Sequence, residues 1–572
     1  MKQITRFILL ALIITSIVSC QTTSIIESEY TSVPETPFLD DEDIVDFIVS
    51  IDYTITFSVN EVVASHSTID ISKTSVIIST SGTYFLSGSS DNMQIIIDVS
   101  DSDQVTLVFN QLSLTSLIGP VIDIKNAKKV IIHVNEGTEN SLSDSSESTI
   151  SYSGLISSKD DLTIKGSGSL ILNSNKKNAI DVNDDLIISS TNISINSVNH
   201  GIKVNNNATF INSFLVINSD GDSIKVEHLT DSTLGNIIIN GGSYTMEAFG
   251  DGMDASGTIT IFQGVISIIS GSKNLDVNKV SGKGIKSRGY LTIIDGILSI
   301  NSIDDCIHSN TTVIIHDGEF VLNSSDDGIH SDEQLIINNG IINIDRCYEG
   351  LESLEIILNG GNINITSQND GINATGGNVV ISRTPWSNPS TGKGRIIIND
   401  GYIIINSNGD GIDANGSITM NGGLVIINGP SIQMDGAIDY DTSFEINGGT
   451  LIAAGSIGMA QNVSSSSTQC SLLINLTSTT SQLINIQNSL GVNILTFQAT
   501  KPFQSLVFSS PNLEISELYK IYLGGSVDSY LIYNHGLYQQ ENYVLGVAFM
   551  TFTINSITTT IGTSTSGGSR PR

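Results

Sequence analysis

Tryptophan occurs once in this 572-residue chain, proline nine times and cysteine four times, and Lys and Arg together number 25 against 58 Asp and Glu. Each shortage excludes something. Apart from Cys20, the cysteines Cys306, Cys347 and Cys470 are scattered and odd in number, so they give neither a disulfide framework nor a zinc site and read as small apolar fillers. A formal charge of −33 opposes nucleic acid, and it opposes direct attraction to anionic polymers unless a divalent cation reverses the sign locally. Ala, Glu, Lys and Arg are too scarce for long helices, and no apolar run is long enough for a comfortable membrane span. Scarce aromatics limit any flat stacking surface to Trp386 and tyrosines such as Tyr348 and Tyr440.

What is abundant is Ile, Val, Leu, Ser, Thr, Asn, Asp and Gly, the last at 52 residues. That mixture predicts an all-β chain with many tight turns. The N-terminus has Lys2 and Arg6, an apolar stretch from Phe7 to Val18, and then Ile17-Val18-Ser19-Cys20. This order predicts a secretory signal over residues 1–19. An ordinary signal with a chance cysteine is the plainer alternative, but the small Ser19 and the polar residues after Cys20 favour a bacterial lipoprotein lipidated at Cys20. The chain is then expected in the cell envelope, extracytoplasmic and held to the membrane through its lipid. Residues 20–50, rich in Ser, Thr, Glu and Pro, read as a tether.

From about Ile51 short β-branched runs alternate with Gly, Asn and Asp, and the pattern repeats. Ile180, Ile202 and Ile224 lie 22 apart, as do Ile285, Ile307, Ile329 and Leu351; Ile372, Ile412 and Ile438 continue the series. Gly296, Gly318, Gly340 and Gly361 repeat with the same period, and the same turn recurs at Gly241, Gly422 and Gly448. Two registers with one period predict a right-handed parallel β-helix over residues 51–455, with about 22 residues per coil. An antiparallel sandwich has no reason to hold such a register. Residues 456–561 alternate differently and predict a C-terminal β cap over the open end; residues 562–572 are expected to be disordered.

With the inward Ile or Leu of each coil as position zero, the residue before it is small (Gly201, Gly252, Gly284, Cys306, Gly328, Gly350, Gly371), which predicts a tight bend. Two before zero stands a polar file that includes Asp222, Asp251, Lys283, Asp305, Asp327, Glu349, Asp370 and Asp410. One after zero stands another, including Lys225, Asp254, Lys286, His308, His330, Glu352, Asn373 and Asp413, expected to point outward. Asp304, Asp305, Asp326, Asp327, Glu349, Glu352 and Asp370 thereby stack at one corner. Like charges about 5 Å apart repel by roughly 3 kcal/mol at an effective dielectric near 20. Their stacking implies either raised pKa values or hard cations between the coils, and clustered oxygens suit Ca²⁺. The competing explanation is turn chemistry, with Asp and Asn bonding the backbone. His308 and His330 fit outward hydrogen bonding better than a transition-metal pair.

Several stretches also carry a resemblance: Ser81 to Leu114, Lys128 to Leu142, Ser157 to Leu172, and the segments DDGIH (Asp326 to His330), YEGLE (Tyr348 to Glu352) and NDGIN (Asn369 to Asn373). In order and wording they resemble the carbohydrate-binding β-helix family of clostridial cellulose-degraders, from about Ile55 to Thr560. An earlier segment reads DDCIH, with Cys306 in place of glycine. The resemblance implies a calcium-binding parallel β-helix that binds plant-type polysaccharides, cellulose and polygalacturonate among them. The expected partner is therefore a pectic or cellulosic glycan near the acidic file, with Trp386, Tyr348, His308, His330 and Lys286 as candidate contacts. A calcium-dependent polysaccharide lyase, with Lys283, Lys286, Arg288 or Arg346 drafted as base, is the enzymatic alternative; a passive surface adhesin is the third.

Overall fold

The computed structural model describes position 43 and residues 50–59, 61–148, 150–271, 281–375 and 393–562. Cys20, the expected signal segment over residues 1–19, Trp386 and the last ten residues lie outside the described residues. Apart from the helical position at Asp43, every secondary-structure element among the described residues is a β-strand.

Three strands per period build the body, as in Ile307–Ser309, Thr312–Ile315 and Glu319–Ser324. Each pairs in parallel with its counterpart one period on, which produces three long ladders. In the first, Ile285, Ile307, Ile329, Leu351, Ile372, Ile412 and Ile438 face one another in unbroken register. The β-branched series is thus a column running along the stack. Its side chains are fully buried or nearly so, and they join one apolar cluster that extends from Ile55 to Val507. The second expected register shifts slightly. Gly296, Gly318, Gly340 and Gly361 have positive φ and stack, but in later periods the positive φ belongs to Gly423 and Gly449, one residue beyond the expected Gly422 and Gly448.

The small residue before position zero needs a different explanation from the bend first inferred. None of Gly201, Gly252, Gly284, Gly328, Gly350, Gly371 and Gly411 has positive φ. They are glycine because a Cβ would strike two things: at Gly350, the Gly371 carbonyl oxygen at 2.3 Å and Ile365 Cγ2 at 2.4 Å; at Gly284, Ile300 Cγ2 at 2.3 Å and the Cys306 oxygen at 2.5 Å. The second obstacle is a third-ladder column, Ile217, Met246, Ile268, Ile300, Leu322, Ile344, Ile365, Ile405, Ile427 and Ala453. Where this column has a β-branched Ile, the small residue is Gly; where it has Met246, Leu322 or Ala453, the small residue is Ser223, Cys306 or Ala437. A Cγ2 methyl and a Cβ compete for one volume. Ala179, in the period of Ile195, is the exception. Cys306 is therefore accommodated: it is fully buried, its backbone N–H still donates to Asp327 O at 3.0 Å, and Ser302 Oγ lies 3.2 Å from its sulfur.

The last parallel strand, Thr450–Gly455, pairs antiparallel with Phe503–Ser509, which pairs antiparallel with Ser471–Thr480. An antiparallel six-stranded sheet follows. It explains one change of residue type: the outer row Asn343, Asn364 becomes Ile404, Ile426, Ile452, and these isoleucines are buried in a second apolar cluster shared with the C-terminal strands.

Candidate functional site

The first ladder aligns both polar files. Lys286, His308, His330, Glu352 and Asn373 stand in one row, directly opposite one another in successive strands. These side chains point out of the core but are only partly exposed, and Asn373 is buried. The file three residues earlier is buried more deeply: Asp251, Asp305, Asp327, Glu349, Asp370 and Asp410 are each under one-tenth exposed.

Turn chemistry accounts for one oxygen of most of these carboxylates. Asp222 Oδ1 accepts the Asp251 backbone N–H at 2.8 Å, Asp251 Oδ1 that of Lys283 at 2.8 Å, and Asp305 Oδ1 that of Asp327 at 3.1 Å. Asp327 Oδ1 accepts from Glu349 N at 3.2 Å, and Asp370 Oδ1 from Asp410 N at 2.6 Å. Each carboxylate thus satisfies a main-chain donor one period away.

The second oxygen meets a graded environment. Lys283 Nζ lies 2.6 Å from Asp304 and 2.5 Å from Asp305, and His308 Nδ1 lies 2.9 Å from Asp305. His330 Nδ1 bridges Asp327 at 3.1 Å and Glu352 at 3.0 Å, with its ring 4.9 Å from that of His308. Burial disfavours the His330 charge, but the two carboxylates outweigh it and raise the imidazole to about 11. Burial pushes Asp327 up, and its contact with Glu352 adds to this, whereas burial of Glu352 is outweighed by His330 and Asp327, which hold its carboxyl low.

Further along, compensation by cations gives way to amides and to more acid. Glu349 is bound by Asn373 Nδ2 at 2.6 Å and Asn369 Nδ2 at 3.0 Å, and its carboxyl is raised by burial despite them. Asp370 is raised to about 8 by burial, with Glu349 and Asp410 adding. Asp370, Asp410 and Asp413 bring carboxylate oxygens within 4.8 Å of one another, as do Asp304, Asp305 and Asp326. Asp327 and Glu352 meet only with His330 between them, and Glu349 joins none of these groups. The first of these all-carboxylate groups suits a hard cation; Lys283 already occupies the other. Asp410 and Asp413 stood in the expected files but not among the expected ligands, because 40 residues separate them from Asp370 in sequence; only the resumed register, Ile372 opposite Ile412, unites them.

Of the expected glycan contacts, Tyr348 is half exposed beside Glu349. Lys286 instead faces Asp251 at 3.4 Å and Asp254 at 3.8 Å. Tyr440 is no platform: its hydroxyl donates to Asn462 O at 2.7 Å and its ring packs edge-on against Phe444.

These shifts fix a pH dependence. The Asp370 carboxyl titrates near 3.8 when unfolded and about 8 when folded. Its stabilising proton is fully present below about pH 4 and is lost as pH rises through 8. In chelator, Asp370→Asn should flatten the fall in stability between pH 5 and 8, measured by urea denaturation at each pH.

Residues 72–328 match the family model described as a carbohydrate-binding domain-containing protein. A carbohydrate-binding domain-containing protein of Acetivibrio thermocellus is 32% identical over 133 residues, covering 22% of this chain and 46% of that one. The match thus spans about half the length of that curated relative. The polysaccharide lyase-like protein from C. thermocellum, solved as a gadolinium derivative, is 29% identical over 42% of this chain and 97% of its own, with a TM-score of 0.40. Over residues 72–328 the chain is therefore similar to a carbohydrate-binding domain family, in a stretch that ends among the acidic periods.

Proposed function

We propose that this chain is a calcium-dependent polysaccharide-binding lipoprotein of the bacterial surface, built as a right-handed parallel β-helix with a C-terminal cap. Cys20 carries the lipid, and the glycan is pectic or cellulosic. The observation that carries this reading is the convergence of Asp370 and Asp410, from the buried acidic file, with Asp413 of the outer row, their oxygens within 4.8 Å of one another. The similarity of residues 72–328 to a carbohydrate-binding domain supports the glycan. Calcium held by such carboxylates would offer its outer positions to uronate carboxylates, overcoming the repulsion expected from a charge of −33. A neighbouring lysine makes a poor proton acceptor: the carboxylates of Asp305 and Asp304 outweigh burial and raise the Lys283 ammonium well above its usual range.

Incubation with polygalacturonate, with and without calcium, tests the reading through pull-down and the formation of unsaturated ends. Calcium-dependent retention without new ends is expected; new ends would turn the protein into a lyase. Calcium stabilisation without retention on any glycan would leave only the adhesin. Replacing Asp370 and Asp410 together by Asn should lower the calcium stoichiometry measured by titration calorimetry.

A further inference from the structure

The C-terminal sheet contains an aromatic arrangement that the acidic file does not use. Its edge hairpin pairs Ile532–Asn534 with Leu537–Gln539 around His535 and Gly536, whose φ values of 44° and 106° are both positive, as a two-residue primed turn requires. This turn sets Tyr533 directly opposite Tyr538, so both rings lie on one face. Their centroids are 4.9 Å apart, and Tyr530 joins them at 5.9 Å and 5.2 Å. Tyr530 and Tyr533 are 49% and 48% exposed, an unusual amount of aromatic surface in a chain so poor in aromatics.

Tyr538 also lines a cavity of about 290 Å³ between this hairpin and the last parallel strand, which contributes Thr450 and Ile452. The cavity has apolar residues such as Ile452, and its polar lining includes Asn493, Gln539, Gln540 and Glu541. Asn493 is oriented by Asn485 and Gln487, whose amides each donate to its Oδ1 at 3.0 Å. Glu541 accepts a hydrogen bond from Thr496 Oγ1. Among the described residues, no lysine, arginine or histidine lines it.

We infer that this cavity, with Tyr538 in its lining and the Tyr530 and Tyr533 rings packed against that residue, binds a neutral glycan, independently of calcium. A pyranose ring presents an apolar C–H face, which suits the Tyr530, Tyr533 and Tyr538 rings, and a hydroxyl edge, which suits carboxamides and a carboxylate. A uronate would meet Glu541 with no cation among the lining residues. The site goes beyond the acidic-file reading and does not depend on it, since it lies outside residues 72–328 and needs no metal.

Affinity electrophoresis in excess EDTA, through gels containing mixed-linkage β-glucan, galactomannan or polygalacturonate, tests it on the full chain. A neutral glycan should retard the protein and polygalacturonate should not. Tyr530→Ala with Tyr533→Ala should weaken the retardation about tenfold. The corresponding Phe pair, which keeps the rings, should largely preserve it, and unchanged melting temperatures will show that both variants fold. Equal retardation of the Ala pair, retardation by polygalacturonate alone, or none by either neutral glycan would overturn the assignment. So would concentration-dependent self-association abolished by the Ala pair, which would make the occupant a second copy of the chain. Failure of the calcium reading would appear separately, as polygalacturonate retention unaltered by calcium.

Discussion

Gly350→Ala should destabilise the chain by about 3 kcal/mol, among the larger effects expected of a single added methyl group. The new Cβ would lie 2.3 Å from the Gly371 carbonyl oxygen and 2.4 Å from Ile365 Cγ2. The first belongs to the next strand of a continuous ladder, where Leu351 N donates to that same oxygen at 3.1 Å. It cannot retreat without breaking a main-chain bond. The second can be removed by mutation: Ile365→Leu in the Gly350→Ala background should recover about 1 kcal/mol, although the same change costs stability on its own. The natural chain has made this exchange at Cys306 with Leu322. Leu322→Ile should therefore be harmful beside Cys306 and tolerated once Cys306→Gly accompanies it. Urea denaturation of the four single variants and two pairs measures both cycles, and additive values would refute the shared-volume explanation.

Lys283→Met should cost about 3 kcal/mol in chelator, the usual penalty for stranding a buried charge by removing its partner. The ammonium lies 2.6 Å from Asp304 and 2.5 Å from Asp305, and Asp305 is almost wholly buried. Without it, Asp304, Asp305 and Asp326 become a group of three carboxylates much like Asp370, Asp410 and Asp413. Calcium should then restore most of the loss, and calorimetry should detect one additional ion. A loss below about 1 kcal/mol that calcium does not alter would mean that the histidines alone hold the Asp305 charge.

The columns were legible because a side chain facing the core of a parallel stack meets only its own counterparts, so identity at a fixed spacing marks contact. Ile285, Ile307 and Ile329 announced themselves in this way, and the polar files came with them in the right rows. The small residues were legible as a file but not in their cause, since the Ile365 methyl that excludes a Cβ from Gly350 lies 15 residues away on another ladder. Sequence spacing also could not divide a carboxylate into its two oxygens, one fixed by a neighbouring N–H and one left for the opposing row. The tyrosine cluster carried a local signal, Tyr530, Tyr533 and Tyr538 around Asn534-His535-Gly536, but it has no period and so fell outside a search for repeats.

The first ladder resumes its register after 32 residues between Met253 and Ile285 and after 40 between Ile372 and Ile412. Extra chain is thus accepted between the strands of this ladder, while the short strands themselves keep their register. A gene that duplicates one period lengthens the molecule by about 4.8 Å and leaves every earlier contact as it was. The length of the stack is then set in whole graduations, like the marks on a ruler, and descendants of this chain should differ from it in the number of marks before they differ in the distance between them.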